Sequence, residues 1–218
     1  MTTTMQDVQD AIVLAALNHV PFDGWTRAAL RNGAVDAGFD AMMNERAFPG
    51  GPVDAVAHLV RLADRRLESE AANAGLASMR VPQRISWLVR RRIEAWTEHK
   101  EAIRRAVSLL SLPGNAPLAV RLGWGTADCL WYAAGDQSVD FNYYTKRATL
   151  AAVYGATLMY WLDDASDNAA ESWAFLQRRL GDVAQIPKLK AMARQPLSSL
   201  TGGFGMLRGR AGTMTMRG

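Results

Sequence analysis

The sequence predicts an all-α chain, and three observations carry that prediction. No segment keeps the period-two alternation of β-branched residues that a strand needs. Proline and glycine at Pro21, Gly24, Pro49-Gly50-Gly51-Pro52, Pro82, Pro113-Gly114, Pro117, Gly135 and Pro187 leave segments of helix length between them. Within those segments apolar residues recur every three or four positions, which gives each helix one face to bury.

The first helix is expected near residues 5–18, with Val8, Ile12 and Ala15 or Ala16 on one face. Two short helices follow near 25–35 and 40–47. Pro52 then opens a longer helix to about Leu67, with Val56, Leu59, Val60 and Ala63 inward. Leu67 to Met79 is weakly patterned and reads as a loop or a frayed end. Pro82 suits a first helical position, where its missing N–H costs nothing. Behind it Ile85, Leu88, Val89 and Ile93 mark a buried face, while Arg84, Arg90, Arg91 and Arg92 are expected mostly in water. Further helices are expected near 98–111, 117–134, 140–163 and 168–183.

The chain has 218 residues, enough to bury a sizeable core, and nearly half of them are hydrophobic. No apolar run approaches the roughly 20 residues that cross a bilayer. The N-terminal stretch has neither a basic region followed by an apolar run nor an arginine-rich amphipathic pattern, so a cytoplasmic location is expected. The single cysteine, Cys129, allows no intramolecular disulfide and fits a reducing compartment. Charge is unevenly spread. Residues 1–50 set Arg27, Arg31 and Arg46 against Asp7, Asp10, Asp23, Asp36, Asp40 and Glu45, a net of −3. From Val183 onward there are six basic residues and no acidic one.

Three short helices ahead of a longer helical bundle is the layout of TetR-like proteins, with Ala37-Gly38-Phe39 as the turn of a helix-turn-helix. DNA binding does not follow from that layout. Phosphate contacts need Lys and Arg, and a recognition helix needs side chains that reach base edges. The segment Asp40 to Phe48 offers one arginine and two acids, and no lysine precedes Lys100.

Catalysis finds no support either. His19, His58 and His99 have no metal-ligand spacing, and one cysteine excludes a multi-cysteine site. There is no nucleophile elbow, Walker loop or dinucleotide fingerprint. The acidic cluster Asp163, Asp164 and Asp167 reads as the end of one helix and the cap of the next. No cofactor and no metal are expected.

The informative stretch runs from Ala127 to Tyr154. Asp140, Tyr143, Tyr144 and Arg147 fall at i, i+3, i+4 and i+7, hence on one helix face. Acid, phenols and arginine suit a docking face, because Tyr and Arg combine area, rigidity and hydrogen bonding. The same spacing suits half-buried core tyrosines with a surface ion pair. Phe141, Ala148 and Ala152 are expected to pack inward.

W-Y-A-A-G-D-Q-S-V-D-F-N-Y-Y-T-K-R (131–147) resembles the signature of the lipid-binding accessory proteins of ubiquinone biosynthesis, a family with the TetR-like fold. H-V-P-F-D-G-W-T-R-A-A-L, F-P-G-G-P-V-D-A-V-A-H-L and L-P-G-N-A-P-L-A-V-R-L extend the resemblance over roughly residues 10–183. It implies a homodimer that does not bind DNA, holds isoprenoid lipid in a hydrophobic cavity and presents quinone intermediates to the demethoxyubiquinone hydroxylase or another quinone hydroxylase. It implies a partner-binding patch of Leu130, Asp140, Tyr143, Tyr144 and Arg147. Tyr143 departs from the tryptophan often found at that place in the motif.

A polyprenyl lipid needs an apolar cavity, since each buried methylene contributes about 0.8 kcal/mol. The candidate lining is Leu118, Leu122, Trp124, Leu130, Trp131, Tyr154, Leu158 and Trp161, residues that would equally fill an ordinary core. In the tail, Leu197, Leu200, Phe204 and Leu207 form one apolar stripe flanked by Lys188, Lys190, Arg194, Arg208 and Arg210. Gly202, Gly203 and Gly205 weaken such a helix by about 1 kcal/mol each in water. A membrane surface would supply the missing stability; a tail docked on the bundle, or left disordered, is the other reading.

The expectation is therefore an all-α, TetR-like bundle of about nine helices plus an amphipathic C-terminal helix. Residues 1–50 would be a degenerate helix-turn-helix region, 51–183 the ligand-binding and dimerisation bundle, and 184–218 a membrane-binding tail on the inner face of the cell membrane. The function would be lipid presentation without catalysis; a TetR-type ligand-responsive regulator is the alternative.

Overall fold

The computed structural model describes residues 4–136 and 141–193. Among them are ten α-helices, four short 3-10 segments and no strand. The helices are α1 (Met5–Ala16), α2 (Val20–Asp23), α3 (Arg27–Asp36), α4 (Met43–Ala47), α5 (Pro52–Asn73), α6 (Val81–Glu94), α7 (Lys100–Leu110), α8 (Ala116–Ala133), α9 (Phe141–Asp163) and α10 (Ala170–Ala193). The described residues up to Leu180 belong to one compact unit, and those from Gly181 to Ala193 to a second.

Local chemistry sets the helix starts. Thr4 and Asp7 form a reciprocal capping box on α1: the Thr4 hydroxyl accepts from the Asp7 amide at 3.2 Å, and the Asp7 carboxylate accepts from the Thr4 amide at 2.9 Å. Thr26 caps α3 by accepting from the Ala29 amide. Pro21, Pro52, Pro82 and Pro117 all sit in first turns, where a missing N–H removes no helical bond.

The N-terminal helices are locked to the bundle by small and polar contacts. Gly33 lets α3 lie against α1; a Cβ there would meet Ala16 N at 2.7 Å and Ile12 O at 2.8 Å. Asp10 on α1 meets two side chains from α5: His58 Nε2 at 2.5 Å and the Arg65 cation, through Nη2, at 2.7 Å. The Trp25 indole donates to the Ala102 carbonyl of α7 at 3.0 Å, and Arg105 donates to the Pro21 carbonyl at 2.9 Å. Below them α5 to α9 bury Leu88, Ile93, Leu130 and Trp161 almost completely. Each such side chain contributes about 1.5–3 kcal/mol.

Four expectations need correction. Helix α5 runs on to Asn73, because Leu67 and Ala71 continue its buried face through the weakly patterned stretch. Helix α10 continues past residue 183 to Ala193. Arg92 faces inward at 6% exposure, donating to Asp64 and to the Val60 carbonyl. Ala148 and Ala152 are exposed, since the inward face of α9 is Arg147, Leu150, Val153 and Thr157. No helix among the described residues is long and apolar enough to cross a membrane. The tail stripe of Leu197, Leu200, Phe204 and Leu207 lies outside the described residues.

Candidate functional site

Helices α5 to α9 enclose a partly open cavity of about 160 Å³. An apolar cavity of about 150 Å³ stays dry and takes up a molecule the size of benzene. Helical periodicity builds each wall. From α9 come Tyr154, Leu158 and Trp161 at i, i+4 and i+7; from α8, Ala119, Leu122, Gly123 and Thr126; from α7, Ile103, Ala106, Val107 and Leu110. Val56 and Leu59 of α5, Ile93 of α6 and Trp96 just beyond α6 close it.

Of the eight lining residues expected from sequence, Leu122, Tyr154, Leu158 and Trp161 lie on this wall. Leu118, Trp124, Leu130 and Trp131 occupy other faces of α8 and do not line it. Leu130 is buried in the core, and the Trp131 indole donates to the Lys146 carbonyl at 3.0 Å. The walls from α5, α6 and α7 were not named from sequence. Their signal was present in the three- and four-residue spacing of Ile103, Ala106, Val107 and Leu110 on a strongly amphipathic helix.

One side of the cavity is polar. Arg92 Nε donates to Asp64 Oδ1 at 2.8 Å, and the Thr126 hydroxyl donates to the same carboxylate at 3.1 Å. The Arg92 guanidinium carbon lies 5.7 Å from the centre of the Tyr154 ring. Tyr154 keeps accessible area although it sits deep in the bundle, as a side chain facing an internal void does. Burial pushes its phenol above the ordinary range, so it remains a neutral donor. Cys129 is buried beside this cluster, its Sγ 3.7 Å from the Asp64 carbonyl oxygen, and burial pushes its thiol up.

The expected partner patch is divided by the fold. Tyr144 is 62% exposed and stands near Trp124, ring centres 6.2 Å apart, and Tyr143, 5.1 Å apart. Arg147 is 4% exposed and turns inward, donating to Asp128 at 2.5 Å and to Asp136 at 3.3 Å. Tyr143 joins that clamp, its hydroxyl donating to Asp128 at 3.2 Å. Leu130 is fully buried, and Asp140 lies outside the described residues. Among the described patch residues Tyr144 is thus the most open to solvent, and Tyr132 on α8 is exposed as well.

The acidic cluster organises the start of α10. Asp164 accepts from the amides of Ser166 and Ser172 at 2.8 Å each, and from the Ser172 hydroxyl at 2.5 Å. Desolvation works against its charge, but these bonds prevail and hold the carboxyl far below the usual range. Asp163 receives Arg104 at 2.7 Å. Among the described residues no group of three or more His, Cys, Asp or Glu is placed to hold a metal ion.

A family profile described as COQ9 matches residues 116–187, a span that contains α8, α9 and most of α10. The chain is 33% identical over 188 residues to the human protein named "Ubiquinone biosynthesis protein COQ9, mitochondrial", covering 83% of this chain and 59% of that protein. It is 34% identical over 183 residues to the Drosophila melanogaster protein of the same name, covering 82% and 56%. With the Schizosaccharomyces pombe relative it shares 27% identity over 192 residues, 87% of this chain and 75% of that protein. The chain therefore spans a little over half the length of the human and fly relatives. In structure it is similar to a TetR transcriptional regulator from Nitrosomonas europaea, with a TM-score of 0.66 and 21% identity over 81% of this chain and 97% of that one. At that identity the likeness establishes the fold alone.

Proposed function

We propose that this chain is a member of the COQ9 family of ubiquinone-biosynthesis proteins, which its similarity to the human and fly relatives supports, and that it is a lipid-binding accessory protein which takes up an isoprenoid quinone intermediate and presents it to a quinone-ring hydroxylase at a membrane. The observation that carries this reading is the cavity between α5 and α9, lined almost wholly by hydrocarbon and aromatic side chains. Its role is extraction and presentation, and the redox chemistry belongs to the partner. The cavity takes a ring-sized group, so the remainder of a polyprenyl chain runs outward between helices.

The exposed Tyr144, supported by Trp124 and Tyr143, is the centre of the docking face for the hydroxylase. The buried Arg147 orders that face from behind. Residues 1–50 are a helix-turn-helix region without a DNA role, residues 51–183 bind ligand and form a homodimer, and residues 184–218 bind the membrane through the basic amphipathic tail. The exposed Met159 and the alanines at 148, 152 and 156 recur every three or four residues along α9 and so offer one small-residue apolar face for a second copy.

Native mass spectrometry with lipid extraction, on protein purified from its own host, tests the central claim. A co-purifying isoprenoid or quinone intermediate is the expected result. Protein that carries no lipid and binds no liposome would overturn it. The TetR-like fold favours a ligand-responsive regulator as the second reading. Specific DNA binding that weakens steeply with salt would identify that function instead.

A further inference from the structure

Helices α7 and α8 meet at a corner that carries no charge. From Ala106 to Val120, between Arg105 and Arg121, there is no Asp, Glu, Lys, Arg or His. The turn itself is the 3-10 segment Pro113–Asn115. Leu112, just ahead of it, is 52% exposed, and Val120, one turn into α8, is 71% exposed. Pro113, Gly114, Ala116 and Pro117 lie exposed between them. Large apolar residues left in water beside an uncharged turn mark an interaction surface.

The corner also asks little of water. Its three polar side chains all donate back to carbonyls of α7: Ser108 to Arg104 at 3.0 Å, Ser111 to Val107 at 2.8 Å and Asn115 to Leu109 at 2.8 Å. Pro113 and Pro117 bring no N–H to the exposed start of α8. An apolar medium demands this internal pairing, because a polar group left unpaired there is costly. A protein partner reads a surface through polar contacts as well as area, and this corner offers few of them.

The bordering charges select the kind of apolar partner. They are arginines: Arg104 and Arg105 on one side and Arg121 on the other. The nearest acids along the chain, Glu101 and Asp128, are already paired, with Arg105 at 3.0 Å and Arg147 at 2.5 Å. Hydrocarbon rimmed by arginine complements a bilayer with anionic headgroups. The inner side of the same hairpin is cavity wall, through Val107 and Leu110 of α7 and Ala119 and Leu122 of α8.

We infer that the α7–α8 corner is a membrane-inserting element, which sets Leu112 and Val120 among acyl chains while Arg121 meets headgroup phosphates. It is an anchor on the bundle itself, separate from any contact made by the basic tail. It lays the α7–α8 wall of the cavity against the lipid surface. The inference rests on the reading that this protein works at a membrane, and it does not depend on what the cavity holds.

A fluorophore sensitive to polarity, attached to Leu112→Cys in the full chain, tests it; Cys129 is buried and does not compete for the label. The vesicles contain three parts phosphatidylcholine to one of phosphatidylglycerol. The label is expected to brighten and shift to the blue when vesicles are added. The same label on Ala77→Cys is expected to stay unchanged, since Ala77 is exposed at the far end of α8, where Arg84 joins the Ala77 and Ala134 carbonyls. Leu112→Asp combined with Val120→Asp is expected to weaken vesicle binding at least about tenfold. Both residues are exposed, so the melting temperature of that variant should match the parent's. Vesicle binding with an unshifted Leu112 label, or with parent affinity in the double variant, would overturn the corner and leave the membrane reading intact. A blue shift that grows with protein concentration in the absence of vesicles would assign the corner to a second copy and overturn it as well. Protein that binds no vesicle would remove the corner's role, and co-purified lipid would then decide whether the carrier reading stands.

Discussion

The Arg147 guanidinium lies flat against Tyr143, its central carbon 3.4 Å from the centre of the ring, and both side chains reach the Asp128 carboxylate. Arg147 also donates to Asp136, so one buried cation on α9 gathers two acids from α8 and the stretch that follows it. A planar guanidinium can stack and make forked hydrogen bonds at the same time, which an ammonium cannot. Tyr144, the next residue but with its ring outside, is carried on this clamp.

Arg147→Ala is therefore expected to destabilise the protein by about 2–3 kcal/mol, read from urea denaturation midpoints. Arg147→Lys should recover less than half of that loss, because it restores charge without the stack. Tyr144→Ala should cost about 0.5 kcal/mol or less in stability while lowering co-purification with the quinone hydroxylase about tenfold. A destabilised Tyr144→Ala, or one that keeps its partner, would move the docking face elsewhere.

His58 is expected to make stability depend on pH near neutrality. Desolvation beneath Phe48 lowers its pKa, and Asp10 opposes that shift without reversing it. Below about pH 6.5 the unfolded chain binds a proton on this ring more readily than the folded chain does. Stability contributed by the neutral ring is full above that pH and is lost as pH falls toward the lower folded value. The slope contributed by one such group is at most about 1.4 kcal/mol per pH unit. Urea midpoints measured from pH 8 to pH 5 should fall for the parent protein and stay flatter for His58→Gln; parallel curves would remove His58 as the cause.

Much of the helical layout was legible because burial follows local spacing. Val8 and Ile12, or Ile85, Leu88, Val89 and Ile93, declare their faces within a few residues. Arg92 did not, since four arginines between 84 and 92 read as one wet face. Its partners are the Asp64 carboxylate, which also accepts from Thr126 on α8, and the Val60 carbonyl, both on α5, and no local period reveals them. The cavity behaved in the same way. Leu122, Tyr154, Leu158 and Trp161 follow from apolar helices in the interior, whereas the contribution of α7 depends on how it docks. Arg147 shared a broad face with Tyr144 by arithmetic, yet three residues of helix leave the two about 60° apart, and Arg147 takes the side that turns into the α8–α9 seam.

Asp164 gives an acid-side prediction of the same sign but in a different window. Its carboxylate holds Ser166 and Ser172 at the start of α10, and the folded pKa lies well below the ordinary value. Its contribution is full above about pH 4, the unfolded value, and is lost as pH falls through the folded one. Asp164→Asn should cost about 1–2 kcal/mol at pH 7, and the gap to the parent protein should close as the pH drops below about 4. A constant gap across that range would mean that Asp164 acts through packing alone.

Gly123 separates cavity from core most directly. It lies on the cavity wall in the middle of α8, and a Cβ added there meets nothing within 4 Å. Gly123→Ala is expected to stabilise the protein by up to about 1 kcal/mol, because alanine favours a helix interior over glycine. Gly123→Leu should fill the void, raise the melting temperature of the lipid-free protein, and abolish binding of a ring-sized lipid probe. An ordinary, tightly packed core would respond in the opposite way, since forcing extra methylenes into it costs about 1–3 kcal/mol. Differential scanning calorimetry of the two variants, with and without probe, decides the matter: a stabilised Gly123→Leu that no longer responds to probe marks a ligand site, and a destabilised one marks a core.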